Sequence, residues 1–223
     1  MNHTAIEYAD FAECDRRLRR MERHVLAAFL AGLAVGLVGM FTAGKGPEWF
    51  GQLYDPYAYL TLALVVGATA SGFGWALLTT FLAAVSTVVA AMGAGALRGV
   101  DGFDVIGGGV AGLNWTVGLL VGLGLLAYVT RRRDRWGDLA AGAIGALLIA
   151  DVVDRATPGF IDSEQSFWPG PATVVALLAV ALVVVLRRNR RARVRALAVS
   201  AVFAGLFTLC LGVFVGGWLP LSA

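Results

Sequence analysis

Histidine and cysteine are nearly absent from this chain. Its 223 residues hold two of each, and His3 and His24 both lie in or beside a charged N-terminal segment. No Ser-His dyad can assemble among the apolar segments, and no H-E-x-x-H zinc pattern exists, which excludes hydrolysis by those routes. Cys14 lies in the N-terminal tail and Cys210 inside the last apolar run, so the two are not placed to pair, and neither has a metal-ligand spacing. Lysine is scarcer still, with Lys45 alone against 17 arginines. That bias, with Ala, Gly, Val and Leu filling the apolar runs, points to GC-rich coding and a bacterial host.

Charge is also sparse. Only 15% of residues are charged while 58% are hydrophobic, and the mean hydropathy is +0.75. Too little polar surface remains to cover a water-exposed globule, so the chain needs lipid as solvent. A net charge of +3 does not imply nucleic acid, because the arginines abut apolar runs, where they serve orientation and anionic headgroups. No cofactor is expected. Gly107, Gly109 and Gly112 satisfy G-x-G-x-x-G, but that fingerprint needs a preceding strand, a following amphipathic helix and an acidic residue about 20 positions on. Here the glycines open an apolar run.

What is present is a set of runs long enough for a bilayer core of about 30 Å, which takes about 20 helical residues. The expected spans are 25–43, 57–70, 75–97, 105–129, 139–157, 172–186 and 196–219, preceded by a charged segment, 1–24, that either continues as helix or lies on the membrane surface. Residues 24 and earlier, and the length of the first apolar run, favour a retained anchor over a cleaved signal. The stretch Tyr57 to Leu97 is too long for one span, and Ser71-Gly72-Phe73-Gly74-Trp75 supplies a reversal.

Three arginine clusters decide the count. Arg16, Arg17, Arg19, Arg20 and Arg23, then Arg131, Arg132, Arg133 and Arg135, then Arg187, Arg188, Arg190, Arg191, Arg193 and Arg195 hold 15 of the 18 basic residues. Crossing the 57–97 stretch twice returns all three to the cytoplasm, as the positive-inside tendency requires. The expectation is an all-α polytopic bundle of seven spans in a bacterial cytoplasmic membrane, with the N-terminus cytoplasmic and the C-terminus extracytoplasmic. Small residues four apart, at Gly32 and Gly36, Gly108 and Gly112, Gly118 and Gly122, and Gly212 and Gly216, predict close helix packing within the bundle, or a face for a second copy or a partner membrane protein.

Few groups carry chemistry. Asp151 sits among apolar neighbours in the fifth span, and an ionised Asp inside a membrane helix costs about 2.5 to 3.5 kcal/mol at the centre, which makes it a candidate pathway or coupling group. Arg155 stands at i+4 and can neutralise it, and Asp154 follows within a turn. Asn114 in the fourth span is a further candidate lining group. Asp101 and Asp104 form a second Asp-x-x-Asp, so with Asp151 and Asp154 four carboxylates could meet around a hard cation. Glu48, Trp49, Phe50, Tyr54, Asp55, Asp162, Glu164, Phe167 and Trp168 read as an interfacial belt, or as an acidic, aromatic vestibule for cations or an amine-bearing solute. Three functional classes follow: a small-solute or ion permease or channel, a non-transporting subunit of a membrane complex, and a lipid-modifying enzyme using the outer carboxylates.

Overall fold

The structure is a computed structural model that describes residues 3–42, 48–99, 109–157, 167–187 and 189–214, and among them every regular element is helical. The helices are α1 (His3–Thr42), α2 (Glu48–Tyr54), α3 (Tyr57–Thr69), α4 (Phe73–Ala96), α5 (Gly109–Val129), α6 (Arg135–Ala156), α7 (Gly170–Leu186) and α8 (Arg190–Phe214). Five segments are long and apolar enough to cross a membrane: Glu13–Thr42, Phe73–Ala96, Gly112–Val129, Arg135–Ala156 and Arg190–Cys210. The apolar helices α3 and α7 are shorter, at 13 and 17 residues. At 1.5 Å per residue α3 reaches about 20 Å, short of a full hydrocarbon core.

Local chemistry sets several of the boundaries. The Asp134 carboxylate caps α6 by accepting from the Gly137 N–H at 3.1 Å, satisfying one of the donors a helix start leaves open. Asp138 in the first turn and Arg155 in the last complement the helix dipole. Pro171 opens α7 where its missing N–H costs nothing. After α4 the chain turns through Gly99, whose φ of 74° suits glycine. Residues 70–72 alone separate α3 from α4. The starts of α6 and α8 precede the apolar runs because arginine is a good helix former; hydropathy stops at a charge and the helix does not. The charged N-terminal segment is likewise one helix with the first apolar run from His3 onward.

Glycine governs how the helices meet. A Cβ on Gly32 would stand 2.0 Å from Ser86 Oγ, and one on Gly36 would stand 2.3 Å from the Thr87 carbonyl oxygen, so α1 lies backbone-close along α4. Gly67 of α3 meets Gly124 of α5 just as tightly, and Gly142 and Gly145 of α6 receive Val199 and Ser200 of α8. Ser200 Oγ also donates to the Gly142 carbonyl at 2.9 Å. Such approach is how helices gain packing energy where lipid removes the hydrophobic drive. Of the expected glycine pairs, Gly118 and Gly122 face open space, while Gly108 and Gly216 lie outside the described residues. Leu60, Leu120, Leu123, Ile144 and Leu148 form the main core where α3, α5 and α6 converge.

The three arginine clusters gather at one end of the bundle. Leu18, Met21 and Leu26 of α1 share a groove with Trp75 and Leu78 at the start of α4. Arg131 donates to the Ala70 carbonyl between α3 and α4. Arg187 donates to the Arg132 carbonyl at 2.9 Å. At the far end, Arg98 donates to the Met40 carbonyl and stacks 5.3 Å above the Phe41 ring. Among the described helices the α8 backbone comes close only to α6 and α7, while residues of α8, α4 and α5 together border a cavity.

Candidate functional site

At the far end, α2 and the start of α3 fold against the last turns of α1 and α6. Tyr54 donates its hydroxyl to the Val35 carbonyl at 2.7 Å and its ring meets Tyr59 edge-on at 6.0 Å. Gly39 admits this pair, since a Cβ there would stand 2.6 Å from the Tyr59 hydroxyl. Burial pushes the Tyr54 phenol above its ordinary pKa of 10.0, against a smaller downward pull from a hydrogen bond with the Gly39 backbone, so it stays a neutral donor.

Asp151 acquires two partners here. The Tyr57 hydroxyl donates to its Oδ2, and Arg155 Nε lies 3.4 Å from its Oδ1. The Arg155 guanidinium in turn stacks 5.7 Å over the Phe167 ring. Asp151 is therefore no lone charge in an apolar helix: a positive neighbour and a phenolic donor offset its desolvation. Asp55, at the junction of α2 and α3, keeps an exposed edge, yet protein atoms crowding its carboxylate raise its pKa from 3.8; nearby Arg155 opposes the rise and Asp151 reinforces it.

These groups border a cavity of about 1120 Å³, with Asp55, Asp151, Asp154 and Arg155 all on its wall. The remaining lining is mostly apolar, from Leu60 of α3, Val88 and Ala91 of α4, Leu119 and Leu120 of α5, Leu147 of α6 and Phe203 and Phe207 of α8. Of the candidates read from sequence, Asp151, Asp154 and Arg155 therefore come together. Asn114 stands exposed on α5, while its neighbours Trp115 and Thr116 line the cavity. Asp101 and Asp104 lie outside the described residues, among which no three metal-ligating side chains converge.

A second charged cluster went unremarked in the sequence. At the arginine end, Arg187 Nε lies 3.1 Å from Asp138 Oδ1, and Arg195 Nη2 lies 2.7 Å from Oδ2. Arg187 Nη1 also donates to the carbonyls of Thr130 and Arg132. The Arg187 and Asp138 side chains are only 6% and 5% exposed. Arg187 is thus a buried clamp between α7, α6 and the α5–α6 turn, where its cluster had read as anchoring. The available signal was an acid in the first turn of an apolar helix whose flanking turns are both arginine-rich.

The fold and its lining define a class: a helical bundle with several helices suited to a membrane, enclosing a polar-tipped cavity. Compared with protein-family models, curated proteins and solved structures, the chain matches none.

Proposed function

We propose that the protein is a small-solute permease or channel of a bacterial cytoplasmic membrane, crossing it seven times with the arginine end inside, and that its solute carries positive charge. Asp151 is the coupling or binding carboxylate, Arg155 its internal counter-ion, and Asp55 and Asp154 extend the acidic rim. The observation that carries this reading is the cavity of about 1120 Å³ with three carboxylates and one guanidinium on its wall. The orientation is supported by the gathering of all three arginine clusters at one end. The α3 and α7 helices, though short, span in this reading by local thinning of the bilayer or by tilt of their neighbours.

The test uses a single cysteine, Leu147→Cys, with Cys14 and Cys210 replaced by serine. In reconstituted vesicles, a cationic methanethiosulfonate reagent should modify it at least about tenfold faster than an anionic one, since a cleft of one charge sign focuses the opposite sign. Asp151→Asn should narrow that ratio. A site closed to both reagents overturns the reading.

A second reading has one observation of its own. Gly118 and Gly122 lie open on one face of α5, a surface that suits a partner helix. In that case the protein is a subunit of a membrane complex, and purification in mild detergent should retain a stoichiometric partner.

A further inference from the structure

The cavity is poorly matched to an ion or a small hydrophilic amine. Pockets that take drug-sized ligands run to about 300–1,000 Å³, and this one reaches about 1120 Å³. Its charged groups are confined to the far-end rim, where α2, the start of α3 and the end of α6 meet. Away from that rim the wall is mostly hydrocarbon and aromatic, with hydroxyls at Thr87 of α4 and Thr116 of α5.

The cavity has a side opening as well. Among the described helices the α8 backbone comes close only to α6 and α7, and the cavity lies between its Phe203 and Phe207 and the Val88, Ala91 and Leu119 side of α4 and α5. Phe203 and Phe207 line the cavity and are still 44% and 47% exposed. In a bilayer, a slot between apolar helices meets acyl chains and not water. A ligand that fits both parts has a charged head at the rim and a hydrocarbon tail along α8. Charge complementarity selects the sign of the head: three carboxylates and one guanidinium line the rim, so its net charge is negative.

We propose that the cavity binds a cationic amphiphile, an ammonium head with a single hydrocarbon chain, which slides in from the bilayer between α8 and the α4–α5 wall. The head sits among Asp55, Asp151 and Asp154, and the chain lies against Leu119, Phe203 and Phe207. This rests on the cavity being the solute site proposed above; it adds the chemical class of the solute and a lateral route to the site.

The test places the Leu147→Cys protein in nanodiscs of zwitterionic lipid and measures protection of the thiol from neutral methyl methanethiosulfonate, a reagent blind to surface charge. Dodecyltrimethylammonium should protect at a concentration at least tenfold below dodecyl sulfate at equal mole fraction in the disc, and far below tetramethylammonium. Asp55→Asn should weaken that protection about tenfold, and Phe203→Ala should weaken it while leaving the thermal midpoint close to that of the parent. Protection by tetramethylammonium equal to that by the dodecyl compound overturns the amphiphile and leaves a cation site standing. Equal protection by dodecyl sulfate overturns it too, because the slot would then be indifferent to charge. If no compound protects a thiol that charged reagents still reach, the amphiphile fails and the solute pathway survives; if charged reagents never reach it, both fail.

Discussion

Removing the Asp138 carboxylate should be among the most damaging single changes at the arginine end. Asp138 and Arg187 are both almost wholly buried, with a nitrogen–oxygen distance of 3.1 Å. Asp138→Ala leaves the Arg187 guanidinium buried beside an apolar methyl, and breaking a buried pair in this way costs about 3–5 kcal/mol. Arg195 reaches the same carboxylate at 2.7 Å, but its side chain is 56% exposed. Solvent screens it, so Arg195→Ala should cost only about 0–1 kcal/mol. The near-equal geometry and unequal burial thus predict a severalfold difference between two partners of one carboxylate. Arg187→Ala should match or exceed Asp138→Ala, because it also strips a donor from the carbonyls of Thr130 and Arg132. Asp138→Leu combined with Arg187→Met should recover much of the loss, since apolar replacement of a buried pair is often neutral or stabilising. Reversible unfolding in mixed micelles, titrated with a denaturing detergent, reads all four. An Asp138→Ala protein within about 1 kcal/mol of the parent would refute the argument that burial sets the strength of this pair.

Two further outcomes follow from the geometry. Gly32→Ala should destabilise by about 1–3 kcal/mol, as overpacking does, because its methyl would meet Ser86 Oγ at 2.0 Å; Gly118→Ala, with nothing within 4 Å, should be neutral or slightly stabilising in the same unfolding assay. The selectivity of the cavity should depend on pH through Asp55, whose pKa lies above 3.8. Lowering the pH through that raised value neutralises the carboxylate, so the ratio of cationic to anionic modification of Cys at position 147 should fall there, and Asp55→Asn should remove that step. The linked stability has the opposite sign to a salt-bridged acid: the native state holds this proton more tightly than the unfolded chain, so the contribution of Asp55 declines as pH rises from about 3.8 through the raised value.

Helicity and apolar length were legible because each is a local property, carried by runs of residues in the chain itself. The Asp151–Arg155 pair was legible for the same reason, since the helical period places i and i+4 on one face. Tyr57 lies 94 residues from Asp151, and no periodicity announces a contact of that separation. Asp55 read as a belt residue because an acid at an interface has the same composition whether it faces water or a cavity. Arg187 was hidden by its neighbours: six arginines in nine residues look alike in sequence, and only packing singles out the one whose guanidinium is buried. Asn114, a candidate lining group by its polarity, stands exposed on α5, and the structure turns Thr116 two residues on to the cavity, a choice of helix face that one polar residue in an apolar run does not reveal.

The unbroken course of α1 has a mechanical meaning. Its 40 residues extend about 60 Å at 1.5 Å per residue, about twice the thickness of a hydrocarbon core. The arginine-bearing stretch and the glycine seam against α4 therefore belong to one stiff rod, and so does Gly39, on which the Tyr54 and Tyr59 rings rest. A pull or twist applied to the handle near Arg16 to Arg23 has no hinge in which to dissipate. It arrives as a shift of the cavity wall, so whatever grips the arginine-bearing stretch of this helix holds a lever on the cavity.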